Sequence, residues 1–127
     1  MLKLLVLSAA GGIGTLARYG LAGLAHRVFR GAFPVGTLIV NLVGCLLIGA
    51  VMYLVRDLHA LRPETRSFVV VGLLGGFTTF SAFGYETFDL VRAGSYALAG
   101  VNVAGNVVAG IAAVWLGSVA ARMLFHG

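Results

Sequence analysis

Charge is what this 127-residue sequence has least of: Asp, Glu, Lys and Arg together make up 10% of it, and the acidic residues number 4. Cysteine is represented by Cys45 alone, which cannot form an internal disulfide. Among Leu and Gly at helical spacing it reads as a small apolar packing residue. His26, His59 and His126 fall in connections or in the tail, and no His, Cys or acidic cluster has the spacing of a metal site or a catalytic constellation. An enzyme is therefore not expected. The basic residues leave a net charge of +5, but they are scattered through turns without interleaved aromatics, so a nucleic-acid partner is not expected either.

What is abundant is apolar surface. Hydrophobic residues form 60% of the chain, and its mean hydropathy is +1.02. A soluble domain of this size buries only about 60–70% of the surface its unfolded chain exposes, too little to hide so much hydrocarbon, so the bilayer must act as solvent. Four stretches approach the roughly 20 residues that cross it as a helix. They place spans at about 4–25, 33–55, 67–91 and 95–122 within a single transmembrane domain, 1–127. Lys3 followed by an apolar run resembles a signal peptide, but the run continues through Arg18 and Tyr19 to Ala25, which favours a retained helix. With four spans, Lys3, Arg56, Arg62, Arg66 and Arg122 share one side and Arg27, Arg30 and Arg92 the other. That positive-inside bias is weak, so insertion in both orientations is permitted. Four short helices are too few for a pore, which points to half of a dimeric channel or transporter.

Glycine is plentiful, at 19 residues. In membrane helices small residues let backbones approach, and Gly105, Ala109, Ala113 and Gly117 recur every four residues as an expected packing seam. Gly12, Gly14 and Ala17 match a nucleotide-binding fingerprint in letters alone, with no preceding strand and no acidic residue at the right distance. The third span is different in kind. Gly75-Gly76-Phe77-Thr78-Thr79-Phe80 weakens the helix, with the break expected over Gly75 to Thr78. Freed backbone groups in lipid must be buried in protein or bind something. The Gly75 and Thr78 carbonyls suit a small cation, and a kink filled by Thr hydroxyls is the equal alternative.

Polar side chains within spans are the remaining candidates, because each must find a partner or line water. Asn41 has Thr37 one turn before it, and Asn102 and Asn106 lie on one helix face. Their amides can donate to an anion without carrying fixed charge, or serve as glue between helices. Phe80 and Phe83 project to nearly the same side, either as packing or as ring edges, which are weakly positive. Arg18 has three uses open to it: snorkelling, capping carbonyls at a dimer contact, or charging a vestibule. Glu86 and Asp89 are expected to be interfacial and to pair with Arg92 or another base.

Taken together, Gly14-Thr15-Leu16-Ala17-Arg18-Tyr19, Gly36-Thr37-Leu38-Ile39-Val40-Asn41, Gly75 through Phe83 and Ala113-Val114-Trp115-Leu116-Gly117 resemble the Fluc (CrcB) fluoride channels over nearly the whole chain. The resemblance implies an all-α membrane protein of four transmembrane helices, the third broken near mid-membrane, assembled as an antiparallel, dual-topology homodimer. It further implies passive fluoride export across the bacterial inner membrane. Asn41 would be the pore amide, Phe80 and Phe83 the pore phenylalanines, and Thr79 and Ser81 possible hydroxyl donors. The carbonyls of Gly75 and Thr78 would hold a structural sodium ion at the dimer centre. Asn102 and Asn106 stand where the family often has Tyr and Ser, a departure that keeps the track polar. The rival readings are a small proton-coupled exporter of cations, which needs a membrane carboxylate that the first two spans lack, and a scaffold that transports nothing.

Overall fold

The computed structural model of the chain describes residues 1–126. Their regular structure is entirely helical and falls into four spans long and apolar enough to cross a membrane. The first is α1 (Leu2–Val28) and the second α2 (Val35–Arg56). The third is composite: α3 (Pro63–Ser67), a π-helical stretch (Phe68–Leu74), α4 (Gly75–Phe77) and α5 (Phe80–Arg92). The fourth comprises α6 (Tyr96–Ala104), a second π-helical stretch (Gly105–Ala109) and α7 (Gly110–His126). Pro63 starts the third span at a position where its missing N–H costs nothing. Gly94, at φ 77°, ends α5 by turning left-handed, and the N–H of Ser95 then returns to the carbonyl of Leu90.

Few large side chains are buried. Val40 is fully enclosed and Leu74, Phe77, Phe83 and Leu90 nearly so, whereas Leu4, Leu16, Tyr19, Val108, Ile111 and Trp115 face outward. In water such a surface would aggregate, but in hydrocarbon it carries no penalty. What holds the helices together is close backbone approach. A Cβ on Gly49 would collide with the carbonyl of Val114, and one on Gly117 with the carbonyl of Leu46, so α2 and α7 cross with nothing between them. The first span uses the same device against the third. Gly14 meets Leu73 and Phe77, Gly72 meets Leu7 and Ala10, and Gly76 meets the carbonyl of Gly11.

Two expectations need correction here. The helix does not break at its glycines: Gly75 and Gly76 remain helical, and the interruption falls at Thr78 and Thr79, whose backbones are extended at φ −82°, ψ 159° and φ −148°, ψ 114°. Gly76 is needed instead for contact with α1. The seam of the fourth span also differs from a strict four-residue repeat, because Ala109 is exposed while Gly110, Gly117 and Ala121 are buried. The π-helical stretch at Gly105–Ala109 widens the turn, which keeps Asn102, Asn106 and Gly110 on one face and moves Ala109 off it.

Gly117→Val should lower thermal stability in detergent by about 1–3 kcal/mol through overpacking against backbone. Gly100→Ala in the same span, with nothing within 4 Å of the added carbon, should leave the melting temperature unchanged or slightly raised.

Candidate functional site

The interruption at Thr78–Thr79 removes helical partners from the backbone, and side chains replace them. The N–H and hydroxyl of Thr78 both donate to the carbonyl of Leu74, at 3.0 Å each. Thr79 caps α5, its Oγ1 accepting from the N–H of Ala82 at 3.3 Å. The peptide groups of Thr79 are held from another span: its N–H donates to Oδ1 of Asn41 at 2.9 Å, and Nδ2 of Asn41 donates to its carbonyl at 3.0 Å. One carboxamide thus grips one residue's donor and acceptor together, as a neighbouring strand would. Gly44, one turn beyond Asn41, provides the space into which the methyl group of Thr78 fits.

The remaining N–H of Asn41 donates to Oδ1 of Asn106 at 2.9 Å. Nδ2 of Asn106 contacts the carbonyl and Oδ1 of Asn102, at 2.9 and 3.1 Å. Asn102 then donates to Oγ1 of Thr87 at 2.9 Å, and Thr87 donates to the carbonyl of Phe83 at 2.8 Å. Asn41, Asn102 and Asn106, singled out separately in the sequence, therefore form one network across the second, third and fourth spans. Sequence reasoning missed Thr87; its only signal was a hydroxyl one turn beyond Phe83 in an apolar span.

Two cavities meet at Thr79, which lines both. The larger, about 760 Å³, lies between the first span, α2 and the start of α5 and is bordered by Arg18, His26, Arg27 and Thr37. Arg18 thus lines a cavity together with His26 and Arg27. The smaller, about 340 Å³, is bordered by Asn41, Cys45, Gly75, Thr78, Phe80, Phe83 and Asn106. Within it the Phe80 and Phe83 rings meet edge to face, with centroids 5.4 Å apart. Phe83 is buried whereas Phe80 is 82% exposed and points away from its own chain. Ser81, also exposed, has its hydroxyl 3.4 Å from that of Thr79. Asn102 is the exception among the expected residues. It is fully buried and lines neither cavity, because its carboxamide is spent between Asn106 and Thr87.

Glu86 does not pair with Arg92 as expected. Oε1 of Glu86 accepts from the hydroxyl of Thr37 at 2.7 Å, tying α5 to α2. Arg92 lies about 1.7 turns further along the helix on another face, over the ring of Phe88 at 5.9 Å. Among the described residues, the one ion pair is Lys3 with Glu64, exposed at 3.8 Å. No group of three or more His, Cys, Asp or Glu side chains among them could hold a metal. A continuous helix would give the Gly75 carbonyl the N–H of Thr79, but that donor is taken by Asn41.

A multi-pass helical membrane protein with a polar seam through a broken span, bordered by a cavity lined with basic residues, belongs to the class of small membrane channels and transporters. Sequence comparison narrows the class: residues 5–118 match the family model for CrcB-like protein, Camphor Resistance (CrcB), and the chain belongs to the CrcB family. It is 40% identical over 124 residues to a fluoride-specific ion channel FluC of Nitratidesulfovibrio vulgaris, covering 98% of this chain and 100% of that one. Proteins of the same name from Geobacter sp. strain M21 and Solibacter usitatus are 44% identical over 124 residues and 46% identical over 122. The first comparison covers 98% of this chain and all of the relative; the second covers 95% and 99%.

Asn41→Leu, branched like Asn but unable to hydrogen-bond, should leave both peptide groups of Thr79 unpaired and cost about 2–6 kcal/mol, at about 1–3 kcal/mol for each buried unsatisfied group. A melting temperature within a degree of wild type would contradict the bracing role.

Proposed function

We propose that the chain forms a fluoride-selective channel, two copies assembling antiparallel in the bacterial inner membrane and letting fluoride leave the cytoplasm passively. The observation that carries this reading is the position of Asn41: its amide lines the phenylalanine-lined groove and holds Thr79, the residue that borders both cavities. The outward-facing Phe80, Ser81 and Gly75 support a second copy. A polar break near mid-membrane cannot face lipid, and an identical chain offers the matching surface.

The physical mechanism follows from fluoride's small size and tight hydration. Arg18, His26 and Arg27 around the larger cavity raise the local anion concentration without enclosing the ion. Beyond Thr79, the Asn41 amide, the Thr79 and Ser81 hydroxyls and the edges of Phe80 and Phe83 replace water stepwise. Several weak donors let the ion enter and leave, where one buried cation would trap it. Asn106 completes the wall of the groove, with Asn102 behind it.

The Gly75 and Thr78 carbonyls are hard oxygen donors of the kind sodium accepts. One chain offers too few for a coordination shell, which suits a site shared by two copies. When bound, sodium supplies the positive charge that both interrupted backbones lack.

Purified protein in liposomes, with a fluoride electrode outside and an imposed pH gradient, tests the reading. Rapid fluoride efflux independent of the gradient is expected; efflux driven by protons would favour the rival exporter. Asn41→Asp should abolish flux by placing an acceptor-only group in the path, and undiminished flux in folded protein would remove Asn41 from the pore. Phe80→Ile should reduce flux at least tenfold by removing the ring edge, an effect of about 1.4 kcal/mol, without changing the gel-filtration profile.

A further inference from the structure

The hydrogen bonds around Asn41 run in one direction. The N–H of Thr79 donates to Asn41, Asn41 to Asn106, Asn106 to both the main-chain carbonyl and Oδ1 of Asn102, Asn102 to Thr87, and Thr87 to the carbonyl of Phe83. The chain begins on a backbone donor and ends on a backbone acceptor, and neither can exchange roles. Each carboxamide between them is therefore locked in a single orientation. In that orientation both N–H groups of Asn41 are engaged, one by the Thr79 carbonyl and one by Oδ1 of Asn106. No donor of Asn41 is free for an anion.

An anion reaching Asn41 must take the N–H now given to Asn106. The displaced oxygen of Asn106 would then face the ion and repel it, unless that amide rotates. Rotation withdraws Nδ2 of Asn106 from the main-chain carbonyl and Oδ1 of Asn102 and opens the chain at its middle. Fluoride, the strongest hydrogen-bond acceptor among the halides, gains enough from the freed N–H to offset this. Chloride, larger and a weaker acceptor, gains much less.

We propose that Asn102 is a selectivity-determining positioning residue: buried away from both cavities, it holds Asn106 as an internal competitor for the Asn41 donor, which fluoride displaces and chloride does not. The inference rests on the fluoride-channel reading and assigns to this chain's Asn102–Asn106 pair a role distinct from contact with the ion. Thr87 is the outer anchor of the same device, fixing the donor side of Asn102.

Fluoride and chloride efflux from liposomes would be measured for wild type, Asn102→Leu, Thr87→Val, Asn106→Ala and Asn102→Leu/Asn106→Ala. Leu shares the branching of Asn and Val that of Thr, so each of these two changes removes side-chain hydrogen bonds, while the bond from Asn106 to the main-chain carbonyl of residue 102 stays in place. Asn102→Leu should retain fluoride efflux but lower the fluoride-to-chloride ratio about tenfold, the scale of one hydrogen bond. Thr87→Val should lower it less, in the same direction, and carries the test should Asn102→Leu fail to fold. The double variant should match Asn106→Ala, since the two residues act in series. Ratios equal to wild type in both Asn102→Leu and Thr87→Val would overturn the relay, as would additive losses in the double variant. Absence of fluoride efflux from the wild type would instead sink the channel reading, and the relay with it.

Discussion

A peptide group turned out of its helix inside an apolar span has no water to bond, and leaving it bare costs several kcal/mol. In this protein the exposed pair belongs to Thr79, and the carboxamide of Asn41 occupies both its N–H and its carbonyl. Much else in the structure serves that contact. Gly44 makes room for Thr78, so the break can lie against α2 at the height of Asn41. Thr79 caps the helix that follows, and the second N–H of Asn41 extends the bracing to the fourth span through Asn106. The contact that satisfies the backbone also sets an amide in the wall of the smaller cavity, against the residue that borders both.

Glycine has a different part in this fold from the one its helix-breaking reputation suggests. Gly49 and Gly117 let α2 and α7 touch backbone to backbone, while Gly14, Gly72 and Gly76 do the same for the first and third spans. With no hydrophobic force between helices in lipid, such proximity provides the dispersion and dipolar contacts that hold them together. The helix is broken instead by two β-branched residues with hydroxyls, which can satisfy neighbouring backbone groups as they leave helical geometry.

The few charged groups within the spans are distributed to match. Arg18, His26 and Arg27 gather at the wider cavity, where water can keep them solvated. Glu86, half-buried, accepts from Thr37 and so fastens α5 to α2. The narrow groove is left to neutral amides, hydroxyls and aromatic rings. That division is what the proposed fluoride path would need: attraction at the mouth and many weak donors at the constriction.

The number of spans and their approximate limits were legible in the sequence, because hydropathy over about 20 residues is a local property and the bilayer imposes the length. Asn41, Asn102, Asn106, Phe80 and Phe83 also stood out as candidates, since a polar or paired aromatic residue in such a span is conspicuous against its neighbours. Contacts between spans were not legible. Sequence spacing places Asn102 and Asn106 on one face but does not say that Asn41 lies opposite them, nor that Thr87 closes the chain of bonds behind Asn102. It paired Glu86 with Arg92 or another base, when the carboxylate accepts from Thr37, 49 positions away. It located weakness at Gly75 and Gly76, yet those glycines stay helical because α1 packs on them, and the break moves to Thr78–Thr79, where Asn41 can satisfy the peptide it releases. Local chemistry determined which residues needed partners; only the packing of the four spans decided which partners they found, because those pairings depend on helix crossings that single-helix periodicity does not encode.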